Sequence, residues 1–310
     1  MTLTITRMSG FATIQDAGRP GYRAEGVPVC GAMDVASLAI ANAFVGNPSD
    51  AAAIEWALAG GSILFSARTL AAVAGANVQL ARSGAPVSSH VTLEFAAGDE
   101  LTVERFVRGA YVYVAVRGGI AVPTVLGSRS TYLPAAFGGL DGRRLRAGDV
   151  LRVGEPIENE RVVLSEARSG SLGDPAKPIR AIEGPNTAVF SREFRESFWA
   201  SEFAVTSSSN RTGYRLEREP HADPGGRSTA SEPACVGAIQ VPNGAGAIVL
   251  MADGPTVGGY PKIGVVASVD IPVLAQRMPG DSVRFERITT EDAQRLLREK
   301  RSLAEPGSRA

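Results

Sequence analysis

The sequence predicts a mainly β protein, and three observations carry that prediction. Short segments rich in valine and isoleucine follow one another from residue 54 to residue 116, either alternating with polar residues or continuously apolar. Turn-forming residues separate them roughly every 8–12 residues, which is typical of an antiparallel barrel or sandwich. A Gly-Asp turn before an alternating strand recurs at residues 97–104, 147–154 and 279–286. We interpret this as repeated turn chemistry, with an internal duplication as the open alternative.

Composition and charge exclude several classes of protein. The 310 residues, 44% hydrophobic and 21% charged, are typical of a soluble globular protein of about two domains. The 32 basic side chains balance the 32 acidic ones, so no overall field attracts nucleic acid or an anionic membrane. No apolar run approaches the roughly 20 residues of a membrane span. The first residues lack the pattern of a signal peptide, and we expect a cytoplasmic protein.

The cysteines and histidines predict neither a disulfide framework nor a metal site. Cys30 and Cys235 have no metal-type or CxxC spacing, and the two histidines stand without a cluster of other ligand residues. The sequence also lacks the GxxxxGK[ST], GxGxxG, HExxH and GxSxG motifs. A Ser-His-Asp or Cys-His hydrolase acting alone is therefore not expected.

The first polar loop follows the opening strand, at residues 15–21. Gly18, Pro20 and Gly21 require a tight, irregular loop there, and Asp16 and Arg19 come close enough to pair or to face one ligand. The structural interpretation is a turn fixed by its own ion pair, and the functional one is a binding loop.

A helix is predicted over residues 35–45. Asp34 is a suitable N-cap, Gly46 stands at the C′ position, and Pro48 prevents the helix from continuing. Further helices are predicted around Phe190, Phe194 and Phe198, after Asp270, which is expected to cap a short helix, and after Thr289, where Asp292 completes a pattern like a capping box.

A second polar segment, residues 127–131, breaks the strand pattern. Ser128 and Arg129 lie on this bend with further hydroxyl groups beside them. An arginine with neutral donors suits a carboxylate or a phosphate, because the guanidinium group binds such anions in a bidentate way. The alternative is a capped turn with a surface arginine.

Residues 167–178 have the composition of a linker, with small residues, glycine, serine and proline. We place the domain boundary there. It separates an N-terminal module, residues 1–166, from a C-terminal module, residues 179–303, and residues 304–310 are expected to be a disordered tail.

The second module carries three candidate site segments. Arg211 lies in a polar loop that suits an anion, and Gln240 is the one amide in an apolar strand, where it needs a partner if buried. The loop of residues 252–263 joins two apolar strands. Its chemistry-bearing residues are Asp253, Gly258, Gly259, Tyr260 and Lys262.

The paired glycines of this loop allow the backbone to take positive φ and allow a ligand close to bare backbone N–H groups. Pro261 stiffens the approach to Lys262. The alternative is an ordinary strand connection with a solvated lysine. Composition and spacing alone do not indicate which reaction the protein catalyses.

At these same residues the sequence resembles the biotin-dependent carboxyltransferase / allophanate hydrolase subunit 2 family. The resemblance runs from about residue 10 to residue 286 and rests on ordered motifs, among them QDAGRPGY, GVPVCGAMD, NRTGYRLE, GAIQVP and GGYPKI. Within the family it points to the C-subunit branch of bacterial 5-oxoprolinase, which is KipA-like. It implies cyclophilin-like β-barrel modules, a KipI-like B subunit and an A subunit as partners, and ATP-dependent opening of 5-oxoproline to glutamate.

Two alternatives come with the resemblance. A second branch of the family is the carboxyltransferase part of urea carboxylase, and the segment ADGPTVGG, residues 252–259, leans toward it rather than toward ADRQTTGG. That alternative requires biotin on an external carrier, because the chain has no carrier-type Met-Lys pair. A KipA-like regulatory protein, which sequesters a KipI-like inhibitor of a histidine kinase, is the other alternative.

The chemistry common to both enzymatic branches is activation of an amide, and it implies roles for the candidate residues. Lys262 and Arg129 are expected to stabilise negative charge, and Asp253 and Asp16 to orient a basic group or handle a proton. The remaining expected substrate-binding or positioning residues are Tyr260, Gln240, Arg19, Ser128, Arg211, Gly258 and Gly259. ATP is expected to be shared with the complex, at a site that the sequence does not indicate.

Overall fold

The computed structural model describes residues 1–156, 172–174, 176–218, 229–242 and 246–304. The chain forms two compact units: the first comprises Met1–Gly21 and Val29–Leu172, and the second Tyr22–Pro28 and Gly173–Ala310. Half of the expected linker, residues 167–171 and 175, and most of the expected tail, residues 305–310, lie outside the described residues. Those boundaries therefore stay predictions.

The first unit is built on a nine-stranded, mostly antiparallel sheet. Its strands are β1 (Thr2–Met8), β2 (Phe11–Gln15), β3 (Ala53–Ala57), β4 (Gly61–Phe65), β5 (Thr69–Arg82), β6 (Ala85–Val87), β7 (Leu93–Phe95), β8 (Glu100–Val116) and β9 (Val150–Arg152). The main path runs in the order β2-β3-β8-β4-β1-β9, and β5 pairs with β6, β7 and β8. The two longest strands, β5 and β8, pair along most of their length with several irregularities in register.

The core of the first unit lies against the inner face of this sheet. Trp56 is fully buried, and Phe65 stacks on Phe95 with ring centroids 4.1 Å apart. In β1, Leu3 and Ile5 are fully buried and the residues between and after them are more exposed. This alternation of burial is typical of a strand with one face on the core.

Helix α1 (Val35–Phe44) is the predicted helix of the first unit. The Asp34 carboxylate accepts from the Ser37 N–H at 3.0 Å, and Gly46 takes a φ of 68° just beyond the helix. Both end signals therefore act as the sequence predicted.

The three Gly-Asp turns share one geometry. Gly98, Gly148 and Gly280 take φ values of 88°, 92° and 92°. In each turn the aspartate that follows the glycine accepts a backbone N–H from three residues earlier, at 2.8, 2.7 and 2.8 Å. The carboxylate thus closes the turn, which leads into β8, into β9 and, in the second unit, into β18 (Ser282–Arg287).

The second unit is a closed barrel of seven strands. The strands in barrel order are β10 (Ile179–Glu183), β17 (Lys262–Val266), β14 (Ala238–Gln240), β15 (Ala247–Leu250), β12 (Gly213–Glu217), β11 (Glu202–Val205) and β18. Strands β10 and β18 pair in parallel, and this pairing closes the barrel. In the described part of the chain, strand residues outnumber helix residues, 38% against 15%, so the expected mainly β class with barrel modules is confirmed.

Among the described residues of the second unit, three α-helices accompany the barrel: α2 (Arg192–Ala200), α3 (Ile271–Ala275) and α4 (Thr290–Ala304). Phe198 of α2 packs in the core against Phe203 and Phe285. The Thr289 hydroxyl accepts the Asp292 N–H at 3.1 Å and donates to its carboxylate at 2.9 Å, which confirms the predicted cap.

The prediction that Asp270 caps α3 was wrong in one respect. Asp270 occupies the N-cap position, but its side chain makes no capping hydrogen bond. It instead accepts from the backbone N–H, Nε and Nη2 of Arg180, at 2.8, 2.9 and 2.5 Å. The sequence pattern located the helix end, but not the competing charged partner.

A small two-stranded sheet accompanies the barrel of the second unit. It consists of β13 (Glu232–Pro233) and β16 (Val257–Gly258), with Glu232 opposite Gly258 and Pro233 opposite Val257. No helix in the described residues is both long enough and apolar enough to cross a membrane.

Candidate functional site

Lys262 lies at the start of β17 with its side chain inside the second unit. The side chain is 4% exposed, and its Nζ lies 2.6 Å from Oε1 of Glu232, whose side chain is 34% exposed. The burial of Lys262 contradicts the alternative interpretation, in which this lysine is solvated. A buried ammonium group needs a counter-charge, and Glu232 supplies one.

Glu232 and Asn186 are residues that the sequence reasoning missed. The hydrogen bond from Lys262 lowers the pKa of Glu232 below its usual value, and a hydrogen bond from the Asn186 amide lowers it further. The Asn186 Oδ1 atom also accepts the backbone N–H of Lys262 at 2.8 Å. A short strand after a glycine-rich stretch gives no spacing signal, so only the fold shows that Glu232 faces Lys262.

Gln240 and Gly258 complete a ring of contacts with this ion pair. Gln240 pairs with Lys262 between β14 and β17, and Glu232 pairs with Gly258 between β13 and β16. A Cβ atom on Gly258 would lie 2.7 Å from the Gln240 Nε2 atom. The ring therefore runs from Lys262 to Glu232, Gly258, Gln240 and back. We define these four residues as the Lys262 cluster.

The paired glycines do not use the positive φ that glycine allows. Neither Gly258 nor Gly259 is among the residues with positive φ, and Gly258 is part of strand β16. What this strand requires at residue 258 is space, because the amide of Gln240 occupies the position of a side chain. The Gly259 carbonyl accepts from the backbone N–H and the hydroxyl of Thr229, at 3.0 Å each.

Asp253 and Arg211 form a separate buried ion pair. The Asp253 carboxylate binds Nε and Nη2 of Arg211, both at 2.8 Å, and the two side chains are 3% and 7% exposed. The carboxylate of Asp253 therefore holds the guanidinium group of Arg211 in place. Tyr260 lies at the surface, 47% exposed.

In the first unit, Asp16 organises the loop that carries Ser128 and Arg129. Its carboxylate accepts from the hydroxyls of Ser128 and Ser130, at 2.6 and 2.5 Å, and from the backbone N–H groups of Gly18 and Arg129, at 2.8 and 2.5 Å. Three of these hydrogen bonds end on Oδ1 and one on Oδ2, so the carboxylate holds the loop of residues 15–21 and the loop of residues 127–131 together.

Arg19 is 1% exposed, and its guanidinium group binds backbone carbonyls instead of Asp16, so the expected ion pair was wrong. The Arg19 guanidinium donates to the carbonyls of Ser130 and Val125, at 2.5 and 3.3 Å, and lies 4.9 Å from the ring centre of Phe137. Burial beneath Phe137 separates this guanidinium from solvent.

Arg129 is exposed, and its Nε donates to the Val122 carbonyl at 3.1 Å. The structure thus brings Asp16, Ser128 and the backbone of Arg129 together in the first unit. It gathers Lys262, Gln240 and Gly258 in the second, with Asp253 and Arg211 as a further pair.

A buried acidic cluster in the first unit also escaped the sequence reasoning. Tyr113 donates its hydroxyl to Glu55 at 2.8 Å and accepts the backbone N–H of Asp34 at 2.8 Å. Burial, and then the charges of Glu55 and Asp34, raise the pKa of Tyr113 well above its usual value. Asp34 and Glu55 are 21 positions apart in the sequence, and Glu55 and Tyr113 are 58 positions apart, so no local sequence pattern links them. No group of three or more His, Cys, Asp or Glu side chains suited to a metal ion occurs in the described ranges.

Comparison with known proteins identifies the class of protein. Residues 25–287 match the family described as carboxyltransferase domain, subdomain A and B. The match covers most of the chain, and the chain belongs to this family. The resemblance found in the sequence motifs is thereby confirmed.

Particular relatives fall into two groups. The chain is 37% identical over 291 residues to the C subunit of 5-oxoprolinase from Escherichia coli, a match that covers 94% of this chain and 93% of that protein. It is 31% identical to the urea amidolyase of Saccharomyces cerevisiae, covering 97% of this chain but 17% of that protein. The crystal structure of the K. lactis urea amidolyase superposes with a TM-score of 0.86 at 30% identity, covering 100% of this chain and 20% of that one.

Replacing Glu232 with Gln is expected to lower stability at neutral pH by an amount that shrinks in acid. Because the folded pKa of Glu232 lies below the ordinary 4.5, its contribution is present above about pH 4.5 and is lost as the pH falls through the folded pKa. The measurement is the difference in thermal midpoint between wild type and Glu232→Gln, from about pH 7 to about pH 3. A difference that does not change with pH, or that persists in a Lys262→Met background, would contradict the ion pair.

Proposed function

We propose that this chain is the C-type subunit of an ATP-dependent 5-oxoprolinase, which opens 5-oxoproline to L-glutamate together with A and B subunits. The observation that carries the proposal is the 37% identity to a 5-oxoprolinase C subunit across 93% of that protein's length. The corresponding C subunit of Haemophilus influenzae, 35% identical over 94% of its length, supports it in the same way. The chain matches these relatives as a whole protein and matches the urea amidolyases as a fraction of a longer one.

The Lys262 cluster supports an amide-opening role. Attack on an amide, or its phosphorylation, builds negative charge on the carbonyl oxygen, and fixed donors in a buried site stabilise that charge strongly. Lys262 is a buried ammonium held by Glu232, so its position is set before substrate arrives. We assign Lys262 the role of stabilising the developing charge and Gln240 that of positioning the amide.

The partners are proposed from the resemblance to 5-oxoprolinase C subunits, and the place of ATP from a motif that the sequence lacks. Because the sequence has no GxxxxGK[ST] loop, we propose that ATP is bound by the complex, at a site completed by the other subunits. We propose a KipI-like protein as the B subunit and place the complex in the cytoplasm.

The single chain is expected to be inactive, and the complex active. The experiment is ATP-dependent release of glutamate from 5-oxoproline, measured with the A and B subunits and with this chain present or omitted. Glutamate release should depend on all three proteins. Robust ATP hydrolysis driven by 5-oxoproline with the single chain, or full activity without it, would overturn the proposal.

A carboxyltransferase role is the second candidate, and a specific observation favours it. The TM-score of 0.86 to the K. lactis urea amidolyase and the ADGPTVGG segment both point to the urea carboxylase branch. Under this proposal the chain would catalyse transfer of CO₂ from carboxybiotin, on an external carrier, to a nitrogen of urea. Co-purification distinguishes the candidates: A and B subunits favour the first, a biotinylated protein the second, and a kinase inhibitor the KipA-like regulatory alternative.

A further inference from the structure

Asn186 holds both polar groups of the Lys262 backbone. Its side-chain Oδ1 atom accepts the Lys262 N–H at 2.8 Å, and its own backbone N–H donates to the Lys262 carbonyl at 3.3 Å. The pairing of β10 with β17 ends where Glu183 stands opposite Gly264, so Lys262 lies two residues beyond that pairing. Asn186 therefore supplies, at Lys262, the acceptor and the donor that a neighbouring strand would otherwise supply.

The segment that carries Asn186 approaches Lys262 closely because residue 184 is a glycine. The Gly184 N–H donates to the Ile263 carbonyl at 2.9 Å. A Cβ atom at residue 184 would collide with the Lys262 carbonyl oxygen and would lie 2.8 Å from the Gly264 nitrogen. Both are backbone atoms, so a larger residue would push this segment, and Asn186 with it, away from β17.

The Asn186 side chain does not serve the helix end at which it stands. Asn186 is the N-cap of the 3₁₀ helix Thr187–Val189, and asparagine is favoured at such positions because its side chain caps the helix, yet it makes no capping hydrogen bond. Its oxygen binds Lys262 instead, and the hydrogen bond from its amide lowers the pKa of Glu232. One side chain thus contacts both members of the buried ion pair.

These contacts need an acceptor and a donor on one neutral side chain, which an amide provides without adding charge to the ion pair. We infer that Asn186 is a positioning residue for Lys262, because it fixes the lysine at the backbone and, through Glu232, at the ammonium group. The place of the Nζ charge is thereby set by a residue 76 positions away. The inference rests on the proposed function, in which that charge acts on the reaction, and adds to it the residue that places the charge.

The first test uses NMR on the full-length chain to measure the pKa of Glu232 and the Nζ–H signals of Lys262, assigned with Glu232→Gln and Lys262→Met. In Asn186→Ala the pKa of Glu232 should rise toward the ordinary 4.5, because the amide hydrogen bond is lost, and the Nζ–H signals should broaden. Asn186→Asp keeps the acceptor for the Lys262 N–H but places a second carboxylate beside Glu232, so the pKa should rise further. An unchanged pKa of Glu232 in these variants would overturn the inference.

Ser191→Ala is the matched control for both Asn186 variants. The Ser191 Oγ atom accepts the Phe194 N–H at 3.1 Å at the start of α2, so this change also removes one hydrogen bond between a side chain and the backbone of the same unit. It should leave the pKa of Glu232 and the Lys262 signals unchanged. Equal changes in Ser191→Ala would indicate a general loosening of the unit and would also overturn the inference. If Asn186→Ala does not fold, Asn186→Asp, which keeps the size of the side chain, decides the question.

The second test is glutamate release by the reconstituted complex, with kcat and KM measured separately. Asn186→Ala and Asn186→Asp should lower kcat by about tenfold to hundredfold, the cost of a displaced catalytic group, and should leave KM within about twofold of wild type. Ser191→Ala should leave both values unchanged. A loss of kcat no larger than that of Ser191→Ala would show that Asn186 is merely structural.

Failure of the inference and failure of the proposed function are distinguishable. The NMR test uses neither ATP nor partner subunits. If the wild-type chain adds nothing to 5-oxoproline turnover, the proposed function is refuted, and the NMR test alone decides whether Asn186 places Lys262. If the wild-type complex is active and the Asn186 variants keep its kcat, the inference is refuted and the proposed function stands.

Discussion

Replacing Lys262 with Met lowers turnover of the reconstituted complex by roughly 10²–10³ under the proposed function, the loss typical of one aligned charge-stabilising donor. Methionine keeps most of the length and apolar packing of the lysine stem. The ammonium group, which is buried and held by Glu232, is removed. The assay is glutamate release at saturating ATP, with kcat and KM measured separately, because a group that acts on the transition state lowers kcat.

Two controls protect this result from a folding artefact. The variant leaves Glu232 without its ion-pair partner, but Glu232 is about a third exposed and can be solvated, so the thermal midpoint should fall only modestly. Lys177→Met, at an exposed position of the same unit, should leave activity unchanged. Activity of Lys262→Met within about twofold of wild type would remove Lys262 from the reaction.

Replacing Asp253 with Asn destabilises the second unit by about 3–5 kcal/mol, the range found when one partner of a buried ion pair is removed. The asparagine preserves shape, so the loss comes from the Arg211 guanidinium, which remains buried with a weaker acceptor. The measurement is denaturant unfolding followed by the fluorescence of Trp199, which lies in the second unit, in a Trp56→Phe parent.

Asp149→Asn is the matched control for this prediction. Asp149 also binds an arginine in a bidentate way, Arg143 at 2.8 Å and 2.8 Å, but in the first unit and with side chains 12% and 30% exposed. Asp149→Asn should leave the denaturant midpoint reported by Trp199 fluorescence unchanged. A loss below about 1 kcal/mol for Asp253→Asn would show that the Asp253–Arg211 pair contributes no more than a surface ion pair.

Local features of this fold could be predicted from the sequence. The ends of α1 follow from Asp34 and Gly46, which act within one turn of the helix, and the cap of α4 depends on Thr289 and Asp292, three residues apart. The Gly-Asp turns were recognisable for the same reason, because the aspartate closes the turn on a nearby N–H. The mainly β class follows from many such short segments.

The candidate site could be predicted only in part, because its partners are distant in sequence. Residue type and the Gly-Pro setting singled out Lys262, but its counter-charge is 30 positions away on a two-residue strand. Gly258 was singled out for its backbone freedom, whereas the structure also requires its lack of a side chain, because the Gln240 amide lies where a Cβ atom would be. The Asp16–Arg19 pairing failed because Ser128 and Ser130, brought in by the fold, satisfy Asp16 first.

The placement of Tyr22–Pro28 in the second unit means that the covalent chain passes between the units three times. Arg23 of this segment donates to the Ala234 carbonyl, next to the strand that carries Glu232. A gene cut once within residues 157–178 would therefore not yield two self-sufficient halves. The C-terminal product would lack Tyr22–Pro28, which belongs to the second unit. The N-terminal product would carry this segment without the rest of the unit to which it belongs. Split expression would recover the second unit only where the two products reassociate.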